Sequence, residues 1–227
     1  TRALAMTFEN IIDVHTRPAR PSLCPELRTR EAVELVPFWE AVDAAFGSTE
    51  PPFWGWSWPG SQALARYVLD NPRVVAGHTV LDLGTGNGIA ALAACLAGAR
   101  KVVANDIDTL ALRMTRFHAD LNGVTLETDS TDRLTESTPP PPAGTLVFAG
   151  DMFYARDLAL RAGRWLRKAA AQQCTILIGE PGRSFAPGPG ENAETIASFS
   201  VPVSMELEQH KALTTRIMRL PRAHHSP

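Results

Sequence analysis

The run Val80-Leu81-Asp82-Leu83-Gly84-Thr85-Gly86-Asn87-Gly88 constrains the fold of this chain more than any other stretch. A short apolar segment ends in an acid and is followed by glycine at alternate positions. Beyond it Ile89, Leu92, Ala93 and Leu96 recur at i, i+3, i+4 and i+7. This pattern predicts a buried strand, a tight turn and a helix packed back onto a sheet. Glycine there lets backbone N–H groups meet a ligand without an intervening Cβ, and the helix N-terminus offers unpaired donors.

Spacing narrows the ligand. A dinucleotide fingerprint, G-x-G-x-x-G, needs glycine at position 89, where this chain has Ile89. A phosphate-cradling loop would end in Gly-Lys-Ser/Thr, which is absent. Asp82-x-Gly84-x-Gly86-x-Gly88 instead resembles motif I of the class I S-adenosylmethionine-dependent methyltransferases. That resemblance implies that Asp82, Gly84, Thr85, Gly86 and Gly88 surround the amino-acid part of the cofactor. A second apolar run, Val102-Val103-Ala104, ends in Asn105-Asp106-Ile107-Asp108, about 20 residues beyond the glycines. An acid at that strand end is placed to accept from a ribose diol, so Asp106 and its neighbour Ile107 are candidate cofactor residues. Asp108, before Thr109, reads as a helix N-cap.

A longer set of motifs points further. Pro52-Phe53-Trp54, Trp58-Pro59-Gly60, Gly150-Asp151-Met152-Phe153-Tyr154 and Leu177-Ile178-Gly179-Glu180-Pro181-Gly182-Arg183 flank the two anchors in order. Together they resemble the electron transfer flavoprotein β-subunit lysine methyltransferases, within the seven-β-strand protein-lysine methyltransferases. The resemblance covers most of residues 52–185. It implies an α/β fold: a Rossmann-like, doubly wound seven-stranded sheet with a terminal antiparallel strand. S-adenosyl-L-methionine is then the cofactor and a protein lysine the acceptor. It also makes Asp151 and Tyr154 the candidate catalytic pair: the carboxylate orients the amine and the tyrosine shapes the pocket. A helix cap at Asp151 and a packed Tyr154 are the plainer alternative. A lysine amine must shed a proton before attacking a sulfonium methyl, so alignment is the main gain available.

Composition agrees with one core of ordinary size. The chain has 227 residues and a net charge of -2, which gives no electrostatic reason to expect nucleic acid. No apolar run is long enough to span a bilayer. No signal-peptide plan is visible, so a cytoplasmic location is expected. Met6 reads as a candidate native start. Cys24, Cys95 and Cys174 form no C-x-x-C pair and read as free thiols in a reducing compartment. No His/Cys/Asp group has zinc spacing, so no metal is expected. His118 reads as structural. Abundant Ala, Arg and Pro suggest a bacterial source.

Residues 1–50 are expected to be an N-terminal extension, residues 51–220 the methyltransferase domain, and residues 221–227 a disordered tail. Within the extension, residues 7–30 read as an extended arm, with a short strand near 26–33. Pro37 then opens a helix carrying Trp39, Val42 and Phe46 and stopped by Gly47. Trp54, Trp56 and Trp58 alternate with small residues and would share one face of an extended segment. Trp58, ahead of the helix at 61–70, is the one assigned to the cofactor or methyl-transfer pocket. Helices are expected at 109–121, 155–170 and 191–198, with strands at 124–127, 145–149, 175–179, 199–208 and 213–220. Residues 128–143, with four consecutive prolines, read as a surface loop, and 185–190 as a Pro/Gly lid. Asp129 is either an adenine contact or an ordinary loop acid. Arg183 either meets an acidic group on a substrate or partner or forms a surface salt bridge.

One departure stands out. Ala155-Arg156 follows Tyr154, where the lysine enzymes often carry acids, and a cationic substrate prefers a negative entrance. A small-molecule acceptor (an amine, indole or carboxylate) is therefore kept as the second reading, and an inactive cofactor-binding scaffold as a third.

Overall fold

The computed structural model describes residues 7–186 and 193–221. The expected lid at 185–190 and the expected tail fall largely outside them. The N-terminal extension is folded, contrary to the extended arm expected from its prolines. Phe8, Ile11 and Ile12 form the buried face of α1 (Phe8–His15), whose first turn is capped by Thr7. The chain then makes a hairpin of β1 (Thr16–Ala19) and β2 (Thr29–Ala32), the latter inside the span predicted for a strand. In α2 (Leu35–Phe46) the buried residues are Phe38 and Val42, while Phe46 is largely exposed. The predicted Trp39/Val42/Phe46 face is thus rotated by one residue. Gly47, at φ +66°, ends the helix as expected.

The remaining elements build the sheet. In chain order they are α3 (Pro59–Asp70), β3 (Thr79–Leu83), α4 (Ile89–Leu96), β4 (Lys101–Asn105), α5 (Thr109–Asn122), β5 (Glu127–Asp129) and β6 (Leu146–Gly150). There follow α6 (Arg156–Ala171), β7 (Thr175–Glu180), β8 (Glu194–Pro202), α7 (Met205–Glu208) and β9 (Ala212–Leu220). The strand order is β5-β4-β3-β6-β7-β9-β8, parallel from β5 to β7, with β9 antiparallel to both β7 and β8. Alternate strand residues feed two cores. Val80, Phe148 and Leu177 pack under α3 and α4, and Leu81, Val147 and Ile178 under α6. The order reverses between β3 and β4 on one side and β6 on the other, so the carboxyl ends of these strands define the ligand crevice. Among the described residues, no helix is long and apolar enough to cross a membrane.

Three element expectations are corrected, the first being the strand expected at 199–208, which ends at Pro202 and gives way to α7. The third parallel strand begins at Glu127, not Val124, because Val124 N–H is spent on Ala119 C=O in the turn that closes α5. The expected helix at 191–198 is strand from Glu194 onward; residues 191–192 lie outside the described residues. Thr195, Ile196, Phe199 and Val201 favour the sheet. A register shift between Thr195 and Ala197 breaks the alternation that would have identified the strand.

Two close backbone approaches fix α3. A Cβ added to Gly179 would collide with the backbone of Gly60, and one on Gly150 with the backbone and hydroxyl of Ser61. The first turn of α3 therefore lies directly on the ends of β6 and β7. Its Ser61 N–H donates to Asp151 Oδ2 at 3.1 Å, across the sheet end.

The extension is tied to this frame by His118, buried in α5. Arg30 N–H of β2 donates to His118 Nε2 at 3.0 Å, so Nδ1 carries the proton and donates to Asn87 C=O at 2.8 Å. Burial holds its pKa down at about 4, against an ordinary 6.5. The unfolded chain takes up this proton between pH 6.5 and 4 while the folded one resists it. The contribution is therefore full above pH 6.5 and is lost as pH falls. Urea unfolding at pH 7.5 and pH 5 should show roughly 2 kcal/mol more acid destabilisation in the wild type than in His118→Gln. Equal losses in the two proteins would contradict this assignment.

Candidate active site

The loop after β3 is held by its own acids. Asp82 is 3% exposed; Thr85 Oγ1 donates to its Oδ2 at 2.6 Å, and the Ala91 N–H in the first turn of α4 also donates to it. Burial raises its pKa to about 7, and the Asp106 charge adds to this. Asp82 thus faces the loop and the start of α4, and braces the glycines from behind. The three glycines have different surroundings. Met152 packs against Gly84, and Thr115 against Gly88. Gly86, at φ +55°, has open space where a Cβ would be.

Asp106 completes this face. Its Oδ2 accepts from Gly86 N–H at 2.9 Å and its Oδ1 from Asp108 N–H at 3.0 Å. Each oxygen keeps a lone pair for a further donor. Burial raises its pKa, and the backbone donors oppose the rise. Asp108 caps α5 through Leu110 N–H at 2.8 Å, as predicted. Ile107, next to Asp106, is an apolar side chain left 65% exposed. An open glycine face, a carboxylate with spare acceptor capacity and an exposed apolar platform fit the three parts of S-adenosylmethionine: amino acid, ribose diol and adenine.

Asp129 is differently placed. Its Oδ1 accepts from Thr131 N–H and Oγ1 at 3.0 and 2.6 Å, and its Oδ2 from Arg133 at 2.5 Å and Asn105 Nδ2 at 3.3 Å. Burial pushes its pKa up, but Thr131 and Arg133 outweigh this and hold it below the usual range. These contacts make it an organiser of the loop that follows β5. Asn105 and Asn87, which carried no sequence signal, stitch the crevice together. Asn105 Nδ2 donates to the backbone of Asp129 and Thr131, and Asn87 Nδ2 to Ser57 Oγ at 2.9 Å.

The tryptophans diverge, because residues Phe53–Gly55 coil into a 3-10 turn and the segment is not extended. Trp54 is buried against Phe8 and Phe38 as a core plug. Trp58 donates from Nε1 to Phe53 C=O at 2.7 Å, and its ring meets Phe53 edge-on at 5.9 Å. The Arg183 guanidinium lies 5.9 Å from the centroid of the same ring. Trp58 and Trp56 line a cleft of about 260 Å³ together with Arg20, Glu31 and Glu208.

Asp151 and Tyr154 are brought to the same crevice with opposite exposures. Asp151 takes φ +55° and its side chain is 11% exposed. One oxygen caps α3 and the other meets Arg183 at 3.1 Å. Burial raises its pKa, against the pull of Arg183 and Ser61 N–H. The helix that follows it, α6, is instead preceded by Ala155 and has no side-chain cap. Tyr154 is 55% exposed and its ring lies 6.3 Å from that of Phe53, itself 44% exposed. Among the described residues, no group of three or more His, Cys, Asp or Glu could hold a metal.

The fold agrees with what known proteins show. The ribosomal protein L11 methyltransferase (PrmA) family matches residues 62–139. A solved structure of a putative RNA methyltransferase from Pyrococcus horikoshii shares the fold. Its TM-score is 0.55 at 15% identity, over 78% of this chain and 91% of that one. The electron transfer flavoprotein beta subunit lysine methyltransferase of Xenopus laevis is 37% identical over 213 residues, 92% of this chain and 85% of its own. That of Danio rerio is 37% identical over 201 residues, 87% and 77% of the two chains. The strand order, the loop after β3 and the acid after β4 therefore belong to an S-adenosylmethionine-dependent class I methyltransferase. Within that class, the chain belongs to the family of electron transfer flavoprotein beta subunit lysine methyltransferases.

The Asp106 assignment is testable by calorimetry with S-adenosylhomocysteine. Asp106→Asn keeps an acceptor for Gly86 N–H but loses the carboxylate charge, and should weaken binding roughly tenfold or more. An affinity within twofold of the wild type would place the ribose elsewhere.

Proposed function

We propose that this methyltransferase acts on the ε-amine of a lysine presented by a folded protein. The β subunit of electron transfer flavoprotein is the first acceptor to test, because the relatives carry that substrate in their names. The observation that carries the reading is the open aromatic mouth of Tyr154 and Phe53 beside the Gly86–Asp106 crevice. A small-molecule pocket encloses most of its ligand; two half-exposed rings suit a long side chain projecting from a protein surface.

The residues around the mouth account for alignment. Burial pushes the Tyr154 phenol above its ordinary pKa of 10, and the charges of Asp106 and Glu50 push it further. The phenol therefore stays neutral, and its oxygen can accept an amine N–H and turn the nitrogen lone pair inward. Glu50, from the segment before Phe53, supplies negative charge on this side. It offsets the Ala155-Arg156 departure that weighed against lysine. When bound, the cofactor would supply a sulfonium methyl for transfer to the neutral amine, with the thioether as leaving group. Lysine is mostly protonated near pH 7, its ordinary pKa being about 10.4, so holding the neutral form in line is where these residues contribute. Asp151, only 11% exposed and ion-paired with Arg183, positions the Tyr154 loop and does not meet the amine directly.

A small-molecule acceptor remains the second reading, and Arg156 at the start of α6 is the feature that favours it. Methyl-labelled S-adenosylmethionine, recombinant β subunit and a small-molecule extract separate the two. Label should enter a lysine of the protein, and Tyr154→Phe should slow this by about tenfold or more with cofactor affinity retained. Label confined to the small-molecule fraction would overturn the lysine reading.

A further inference from the structure

We infer that Arg183, clasped by Glu208 of α7, is a positioning residue for the acceptor mouth. It couples the connection between β8 and β9 to Tyr154. The inference rests on Tyr154 facing the acceptor, as proposed above.

One guanidinium joins four parts of the chain. Arg183 Nη1 and Nη2 donate to the two oxygens of Glu208 at 2.8 and 2.6 Å, a bidentate pair, and Nη2 also donates to Asp151 Oδ1 at 3.1 Å. The three side chains are 20%, 9% and 11% exposed, so the cluster is largely screened from water. The turn that delivers Arg183 is set by Glu180, whose Oε1 accepts from the N–H groups of Gly182 and Arg183. Two routes then lead to Tyr154. Through Asp151, whose other oxygen caps α3, Arg183 holds the start of the short loop that ends in Tyr154. Through its place over the Trp58 ring, it backs the Trp58–Phe53–Tyr154 contacts. None of its contacts reaches Gly86, Asp106 or Ile107. Loosening Arg183 should therefore misalign the acceptor wall and leave the cofactor crevice intact.

This geometry assigns a catalytic consequence to Glu208, which touches neither reactant. A lone surface pair would contribute little, but here the bidentate pair is largely buried and fixes the orientation of the guanidinium between Asp151 and the Trp58 ring. Among the described residues its Nε is buried without a hydrogen-bond partner, so the hydrogen bonds that hold the fork run to the two carboxylates.

Glu208→Gln, made in the wild type and in Tyr154→Phe, tests the coupling through kcat, KM for the acceptor and S-adenosylhomocysteine affinity. In the wild type, kcat should fall about tenfold, with KM and cofactor affinity within twofold. In the Tyr154→Phe background the same change should cost less than about twofold, because its effect passes through a group already removed. Arg183→Lys, which keeps the charge but loses the fork, should reproduce the pattern and replaces Glu208→Gln if that variant does not fold. Equal losses in both backgrounds, an unchanged kcat, or a matching loss of cofactor affinity would overturn the inference. If Tyr154→Phe alone costs nothing, the acceptor reading itself fails. If Tyr154→Phe is slow and Glu208→Gln is not, only the coupling fails.

Discussion

The contact between the first turn of α3 and the ends of β6 and β7 decides where everything else at the crevice can go. Gly60 and Gly179 meet backbone to backbone, a distance that no Cβ would allow. An exposed helix end has four N–H groups without intrahelical partners. Here one of them, from Ser61, is satisfied by a carboxylate on a different element. Asp151 is thereby drawn into a buried place beside Arg183, and its loop is forced to turn through φ +55°. That turn brings Tyr154 out to the surface against Phe53. The aromatic mouth is in this sense a product of how a helix was seated.

The crevice divides into two halves that share few contacts. On one side Gly86, Asp106 and Ile107 are organised by the end of β4, with Asp82 and Thr85 bracing the loop from behind. On the other, Trp58, Phe53 and Tyr154 are organised by α3, Arg183 and α7. The bridge between them is the Asn87–Ser57 bond, with His118 and Arg30 continuing it into the N-terminal hairpin. The extension thus reaches the cofactor loop through two hydrogen bonds, Arg30 to His118 and His118 to Asn87.

What the sequence revealed depended on whether local pattern and tertiary contact agreed. The strand–glycine–helix unit, the acid after β4, the Asp108 cap and the Gly47 stop were legible because each is enforced by its immediate neighbours. The α1 face, Phe8, Ile11 and Ile12, was present in the sequence but was outweighed by the prolines that follow it. The β8 strand was masked by its register shift, and the start of β5 by the turn that closes α5. Trp58, Asp151 and Arg183 were recognised as important, yet their partners were beyond reach. Trp58 meets Phe53 and Arg183, Asp151 meets Ser61, and Arg183 meets Glu208. Those pairings arise only when β7, α3 and α7 converge, and no spacing rule encodes that.

The central claim is that Asp151 shapes the acceptor wall and does not itself hold the amine. Steady-state kinetics of Asp151→Asn with the protein acceptor at low and high salt test it most directly. Asn keeps an acceptor for Ser61 N–H and removes only the charge shared with Arg183. The account predicts a lowered kcat with an acceptor KM close to that of the wild type and the same salt dependence, as expected for lost alignment. A raised KM with kcat unchanged and a weakened salt dependence would mean that the carboxylate binds the cationic acceptor directly. That result would contradict the account.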